Sequence, residues 1–166
     1  LIDKKRPLDL LRAFQLLENN NIVLFFLGDG PLRGEIETEI QNSNIKNVII
    51  SGFINQSEIG KIYNMADVFV MCSGIGETWG LSVNEAMNFG LPVVVSDTCG
   101  SAHDLVLDGS NGFKFKEGNI AELKNQLELL SNDKSLCIRF GEKSSEKIMD
   151  FSQHITVQNI SEVIAS

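Results

Sequence analysis

The chain has 166 residues, enough for one domain with a real core, and its 43% hydrophobic and 22% charged residues are ordinary soluble values. A formal net charge of −8 and a pI near 4.7 argue against nonspecific nucleic-acid binding, which needs a basic surface, but leave room for a small anion held by local amides. No apolar run approaches the roughly 18 residues of a membrane helix, no stretch reads as a signal peptide, and the odd count of Cys72, Cys99 and Cys137, with no C-x-x-C, argues against a disulfide framework, which fits a reducing, cytoplasmic setting.

Residues 1–6 end in the basic cluster Lys4-Lys5-Arg6, which taken alone is a solvated turn. Pro7 suits a first helical position, and Leu10, Ala13, Phe14 and Leu17 follow the i, i+3, i+4, i+7 spacing of an amphipathic helix that ends at Asn19-Asn20-Asn21. Residues 22–27 are an unbroken apolar run and predict a strand buried on both faces. Gly28-Asp29-Gly30-Pro31 predicts a tight turn into a helix with Leu32, Ile36 and Ile40 inward. Those glycines do not make a phosphate loop, because the Lys-Ser/Thr pair is absent and G-x-G-x-x-G is incomplete. A strand over residues 48–51, the loop Gly52-Phe53-Ile54 and a helix over 57–65 follow, with Ile59, Ile62, Tyr63 and Ala66 inward.

The organising stretch is residues 72–97, preceded by a short strand over 67–71. It reads as glycine loop, helix from Leu81 or Ser82, stop at Gly90, then Pro92 and the β-branched run Val93-Val94-Val95, which is a βαβ unit. The amides around Trp79, Gly80 and Leu81 fall where a helix leaves its first N–H groups unpaired, a setting that favours phosphate. Glu77 and Glu85 would lie roughly 12 Å apart if all eight steps were helical, which suits two carboxylates at opposite ends of a ligand with a diphosphate middle. Two plainer readings compete: Ser82-x-x-Glu85 fits a capping box, and Glu77 can be an exposed loop acid.

Downstream, Cys99 falls in a loop, as a buried residue or a reactive thiol. His103 reads as a surface or helix-start histidine in a short helix that ends before Asp108-Gly109. A last short strand follows Asn111-Gly112. Asn119 caps a helix bearing Ile120, Leu123, Leu127 and Leu130, and residues 133–150 form another with Leu136, Cys137 and Phe140 inward. Alternating strands and helices predict an α/β, Rossmann-like doubly wound fold with a mainly parallel sheet, whose ligands sit at the carboxyl ends of the strands.

Glu77-Thr78-Trp79-Gly80-Leu81, Glu85-Ala86-Met87 and Gly90-Leu91-Pro92-Val93-Val94 together resemble the E-x7-E signature of the family 4 retaining glycosyltransferases, also called glycosyl transferases group 1. The usual pattern is close to E-x-F-G-L-x-x-x-E-A-M-x-x-G-x-P-V-V, with Trp79 here in place of the common Phe. The resemblance implies the GT-B fold, two Rossmann-like domains facing a cleft. Residues 1–166 would form the C-terminal, single nucleotide-sugar-binding domain, with a last helix at about 153–165 crossing back toward the first domain. Residues 1–6 resemble the segment G-R-L-x-x-x-K-G, which puts Lys5, with Lys4 one step away, at the lysine that neutralises the donor diphosphate. The motif arginine and most of the first strand would precede Leu1, so the chain is expected to be part of a larger enzyme and inactive alone.

By the same resemblance Glu85 binds the ribose hydroxyls, Glu77 meets the transferred sugar as the catalytic residue, and backbone at Trp79, Gly80 and Leu81 holds phosphate and sugar oxygens. Phe53 and Ile54 lie in the loop whose backbone contacts the base. The implied activity is transfer of a sugar from a nucleotide-sugar to a glycan or lipid-linked acceptor, as in polysaccharide biosynthesis. No metal or other cofactor is expected. The partners are the donor and an N-terminal acceptor domain, through which peripheral membrane association can arise. The alternatives are a non-catalytic nucleotide-sugar-binding or interaction module of the same fold and, less compatible with an intact E-x7-E, a two-domain epimerase or phosphorylase.

Overall fold

Val93, Val94 and Val95 occupy the centre of the molecule, each with no exposed surface. Their β-branched side chains favour extended backbone and fill both faces of a pleated sheet. They form strand β4 (Val93–Ser96), which pairs in parallel with β3 (Phe69–Met71) on one side and β5 (Gly112–Phe115) on the other. Val94 lies opposite Val70 and Phe113 in this register. The computed structural model describes residues 1–19, 21–151 and 161.

Side chains alternate across β4 and so join two cores. Val93 and Val95 pack with Tyr63, Val83, Met87 and Leu105. Those residues come from α3 (Gln56–Met65), α4 (Leu81–Asn88) and α5 (Ala102–Leu105). Val94 packs with Ala13, Phe115, Leu123 and Phe140. Besides β5, these belong to α1 (Pro7–Gln15), α6 (Ile120–Asn132) and α7 (Lys134–Met149). Helices therefore cover both faces, which is the doubly wound arrangement expected from the sequence. Burying each valine side chain contributes about 1.5–3 kcal/mol.

A third core holds Leu24 and Phe26 of β1 (Leu24–Phe26), Leu11 of α1 and Ile36 of α2 (Arg33–Asn42). Here the structure corrects the expected strand over residues 22–27. Only three residues are extended, and Val23 and Leu27 are 58% and 36% exposed. A pure apolar run looks the same whether one face or two are covered, and this strand is covered chiefly by α1 and α2. Strand β1 pairs in parallel with β2 (Val48–Ile50), where Ile49 is 48% exposed.

The named strands form two parallel sheets, β1–β2 and β3–β4–β5, rather than one. The start of the chain links them. Gly74 N donates to the Lys4 carbonyl at 2.8 Å, Leu32 N donates to the Leu1 carbonyl at 3.1 Å, and the Leu1 amino group bonds the Asp29 carbonyl. Residues 1–4 are thereby held between the loops after β1 and β3, and this delivers Lys5 to the carboxyl end of the larger sheet. The last helix expected at 153–165 falls, apart from Ser161, outside the described residues.

Candidate functional site

Strand β3 ends at Met71 and α4 begins at Leu81, so residues 72–80 must turn the chain above the sheet. Gly80 makes the final step. Its φ of 86° is left-handed, and its carbonyl accepts the Val83 amide at 2.8 Å. Gly80 thus holds the N-cap position, and no side chain caps the helix. This overturns the capping-box reading: Ser82 lies inside the first turn, so Glu85 is out of register with the helix start. Helix α4 itself begins at Leu81 and the chain turns at Gly90, as expected from the sequence.

The backbone N–H groups of residues 78–82 donate to no group among the described residues. They border an open cavity of about 450 Å³ lined by Lys5, Glu77, Thr78, Trp79, Gly80, Leu81, Ser82 and Glu85. Unpaired amides and the positive end of the helix dipole make this a place for an anion.

Glu77 and Lys5 meet on one wall. Lys5 Nζ lies 2.6 Å from Glu77 Oε2 and Lys4 Nζ lies 3.6 Å away, so Lys5 makes the closer pair with this carboxylate. Ser73 Oγ adds a contact at 3.4 Å to the same carboxylate oxygen. Burial pushes the Glu77 carboxyl up, but the Lys5 hydrogen bond and the charges of Lys5 and Lys4 outweigh it and hold the group below the usual range. Glu77 is therefore an ionised hydrogen-bond acceptor, not an exposed loop acid; its side chain is only 11% exposed.

Glu85 forms another part of the lining. Its Oε2 accepts a hydrogen bond from Tyr63 Oη at 3.0 Å. Trp79 turns its indole N–H to Asn84 Oδ1 at 2.7 Å, packs against the Tyr63 core and is also a lining residue of the cavity. Phe53 and Ile54 are not among the lining residues. They follow Gly52 beyond β2, with Phe53 84% exposed.

Two supports were not evident from the sequence. One is the loop after β4. Gly100 N donates to the Glu77 carbonyl at 3.2 Å, Ser101 N to the Trp79 carbonyl at 3.0 Å, and Cys99 Sγ to the same carbonyl at 3.3 Å. Cys99 is fully buried, which decides between the two readings of its thiol in favour of packing. A Cβ on Gly100 would stand 1.9 Å from the Thr78 carbonyl oxygen. Gly100→Ala is therefore expected to cost about 1–3 kcal/mol by overpacking. Thermal unfolding should show a midpoint roughly 2–10 °C lower; an unchanged midpoint would mean that the loop yields freely.

The other support is Glu117, in the turn after β5. It accepts from the Ile75 amide at 3.2 Å and from Thr98 Oγ1 at 2.9 Å, and its Oε1 pairs with Arg6 at 3.3 Å. Arg6, itself left-handed at φ 45°, also bonds Asp9 Oδ2 at 2.6 Å. This network ties the residue after Lys5 to the glycine loop before Glu77. His103 is exposed on α5 and takes no part.

The family described as glycosyl transferases group 1 matches this chain over residues 1–147. Putative glycosyltransferase EpsD of Bacillus subtilis (strain 168) is 28% identical over 165 residues, which cover 98% of this chain and 42% of EpsD. Sulfoquinovosyl transferase SQD2 of Arabidopsis thaliana is 32% identical over 125 residues, 74% of this chain and 24% of SQD2. A crystal structure of an S. aureus TarM variant in complex with fondaparinux, α-GlcNAc-glycerol and UDP superposes with a TM-score of 0.89 at 25% identity, over 100% of this chain and 34% of TarM. The chain thus spans less than half the length of each of these proteins.

Proposed function

The chain belongs to the glycosyl transferases group 1, and on that premise we propose that it is the donor-binding domain of a retaining glycosyltransferase that uses a nucleotide-sugar. The observation that carries this reading is the meeting of Lys5, Glu77, Glu85 and the amides of residues 78–82, unpaired among the described residues, around one cavity. The amides and Lys5 suit a diphosphate, whose charge grows as the sugar departs. Glu77, ionised and held by Lys5, is placed to accept hydrogen bonds from hydroxyls of the transferred sugar. Glu85 suits a vicinal diol such as a ribose. Phe53 and Ile54 would meet the base from the neighbouring loop. An acceptor domain outside residues 1–166 would complete the cleft, with the acceptor a glycan or lipid-linked sugar and the reaction on the cytoplasmic side.

TarM is seen with UDP, so uridine diphosphate is the probe of choice. In the full-length protein, Glu85→Gln keeps the side-chain shape and removes the charged acceptor. Calorimetry should show UDP binding weakened about 10- to 100-fold, the worth of hydrogen bonds to a charged group. Unchanged affinity would take Glu85 out of the nucleotide site. Product analysis with labelled nucleotide-sugars separates this reading from a non-catalytic binding module, which would bind donor without turnover.

A further inference from the structure

We propose that Tyr63 is a positioning residue for the nucleotide, holding the Glu85 carboxylate in the one orientation that distinguishes a ribose from a deoxyribose. The proposal rests on the donor-binding reading above. Tyr63 Oη donates to Glu85 Oε2 at 3.0 Å across 22 residues of sequence. Glu85 Oε1 accepts from no group among the described residues, so one oxygen is committed to the protein and the other is left at the cavity. The remaining oxygen can accept from vicinal hydroxyls only if it faces them, and a carboxylate already fixed that way spares the side-chain entropy that a freely rotating glutamate loses on binding.

Tyr63 is itself fixed. It is 5% exposed, its ring stacks on Phe89 with centroids 5.3 Å apart and interplanar angle 24°, and Phe69 tilts against it at 6.1 Å. Gly60, one turn earlier on α3, leaves room for Phe89: a Cβ there would come 3.2 Å from Phe89 Cζ. Gly60, Phe89, Tyr63 and Glu85 therefore form a line of contacts between α3 and α4. Burial, and then the bond to Glu85, raise the Tyr63 phenol well above its ordinary value. It remains a proton donor at any working pH.

Tyr63→Phe keeps the ring and its stacking and removes only the hydroxyl. In the full-length protein, affinities for UDP and 2′-deoxy-UDP are measured for the parent, Tyr63→Phe, Glu85→Gln and the double variant, with thermal unfolding alongside. Tyr63→Phe should bind UDP about three- to tenfold more weakly and lose most of the preference for UDP over 2′-deoxy-UDP. The double variant should bind no worse than Glu85→Gln, because both changes act on one interaction. A lost preference in Glu85→Gln with an intact one in Tyr63→Phe, or additive losses in the double variant, would overturn the positioning role and leave the nucleotide reading standing. If Glu85→Gln itself keeps UDP affinity and the preference, the nucleotide reading of Glu85 falls, and the positioning role with it.

Discussion

Replacing Lys5 with methionine is expected to lower kcat/KM for the nucleotide-sugar by about 10²–10³-fold, the loss typical of removing one fixed donor from a developing charge. Methionine keeps most of the aliphatic stem and removes the ammonium, whose Nζ lies 3.9 Å from the Met71 sulfur. Stability should fall modestly: Lys5 is 37% exposed, Glu77 is only 11% exposed, and Lys4 at 3.6 Å still faces its carboxylate. The pH profile gives a second readout. Glu77 now titrates below the usual carboxylate range because Lys5, and then Lys4, outweigh its burial. Its ionised form is thus kept above that lowered value and lost as pH falls through it. Without Lys5 the burial effect gains weight and the carboxyl titrates higher, so the acid limb of kcat/KM should move to higher pH. Lys4→Met, acting from 3.6 Å, should do less on both counts. Rates within threefold of the parent and an unmoved acid limb in Lys5→Met would remove this lysine from the chemistry.

The parts of this site that can be read from sequence are those fixed by local chemistry. Gly80 and Gly90 sit at left-handed backbone, 86° and 69°, and bracket α4 where the glycine spacing puts it. Val93-Val94-Val95 announces a strand covered twice, and it is. The unbroken run over residues 22–27 announces the same thing and is covered mainly on one face, because local pattern carries no information about which helix returns to which sheet. The supports of the acidic pair depend wholly on that return. Tyr63 reaches Glu85 across 22 positions, and Arg6 reaches Glu117 across 111. From sequence, Tyr63 is one inward-facing residue among several and Glu117 one acid in a turn. Ser82-x-x-Glu85 shows the opposite failure: a legible local signature loses to Gly80, whose backbone takes the N-cap position two residues earlier. Phe53 and Ile54 stay where the chain order puts them, outside the cavity lining, and their contact with a base remains a proposal about a bound nucleotide.

Transfer is expected to retain the anomeric configuration and to continue in excess chelator. As the bond from the sugar to the diphosphate breaks, negative charge collects on the phosphate and positive charge on the sugar. The amides of residues 78–82, which donate to no group among the described residues, and the Lys5 ammonium border the same cavity, and they are expected to take up the negative charge without a divalent ion. Among the described residues that line the cavity, no side chain is an obvious nucleophile for the far face of the sugar. Glu77 Oε2 is tied to Lys5 at 2.6 Å, Glu85 Oε2 to Tyr63 at 3.0 Å, and the Cys99 thiol is buried under the Trp79 carbonyl. The family resemblance, more than these side chains, points to attack on the face the diphosphate leaves. There the acceptor oxygen bonds to the anomeric carbon as the phosphate oxygen departs, and that oxygen takes the acceptor proton. Glu77 would steady the sugar by hydrogen bonds during this exchange. The full-length reaction, run with and without chelator, gives a product whose linkage NMR can assign. An inverted anomer, or activity lost to chelation and restored by metal, would show that the amides and Lys5 do not carry the leaving group alone.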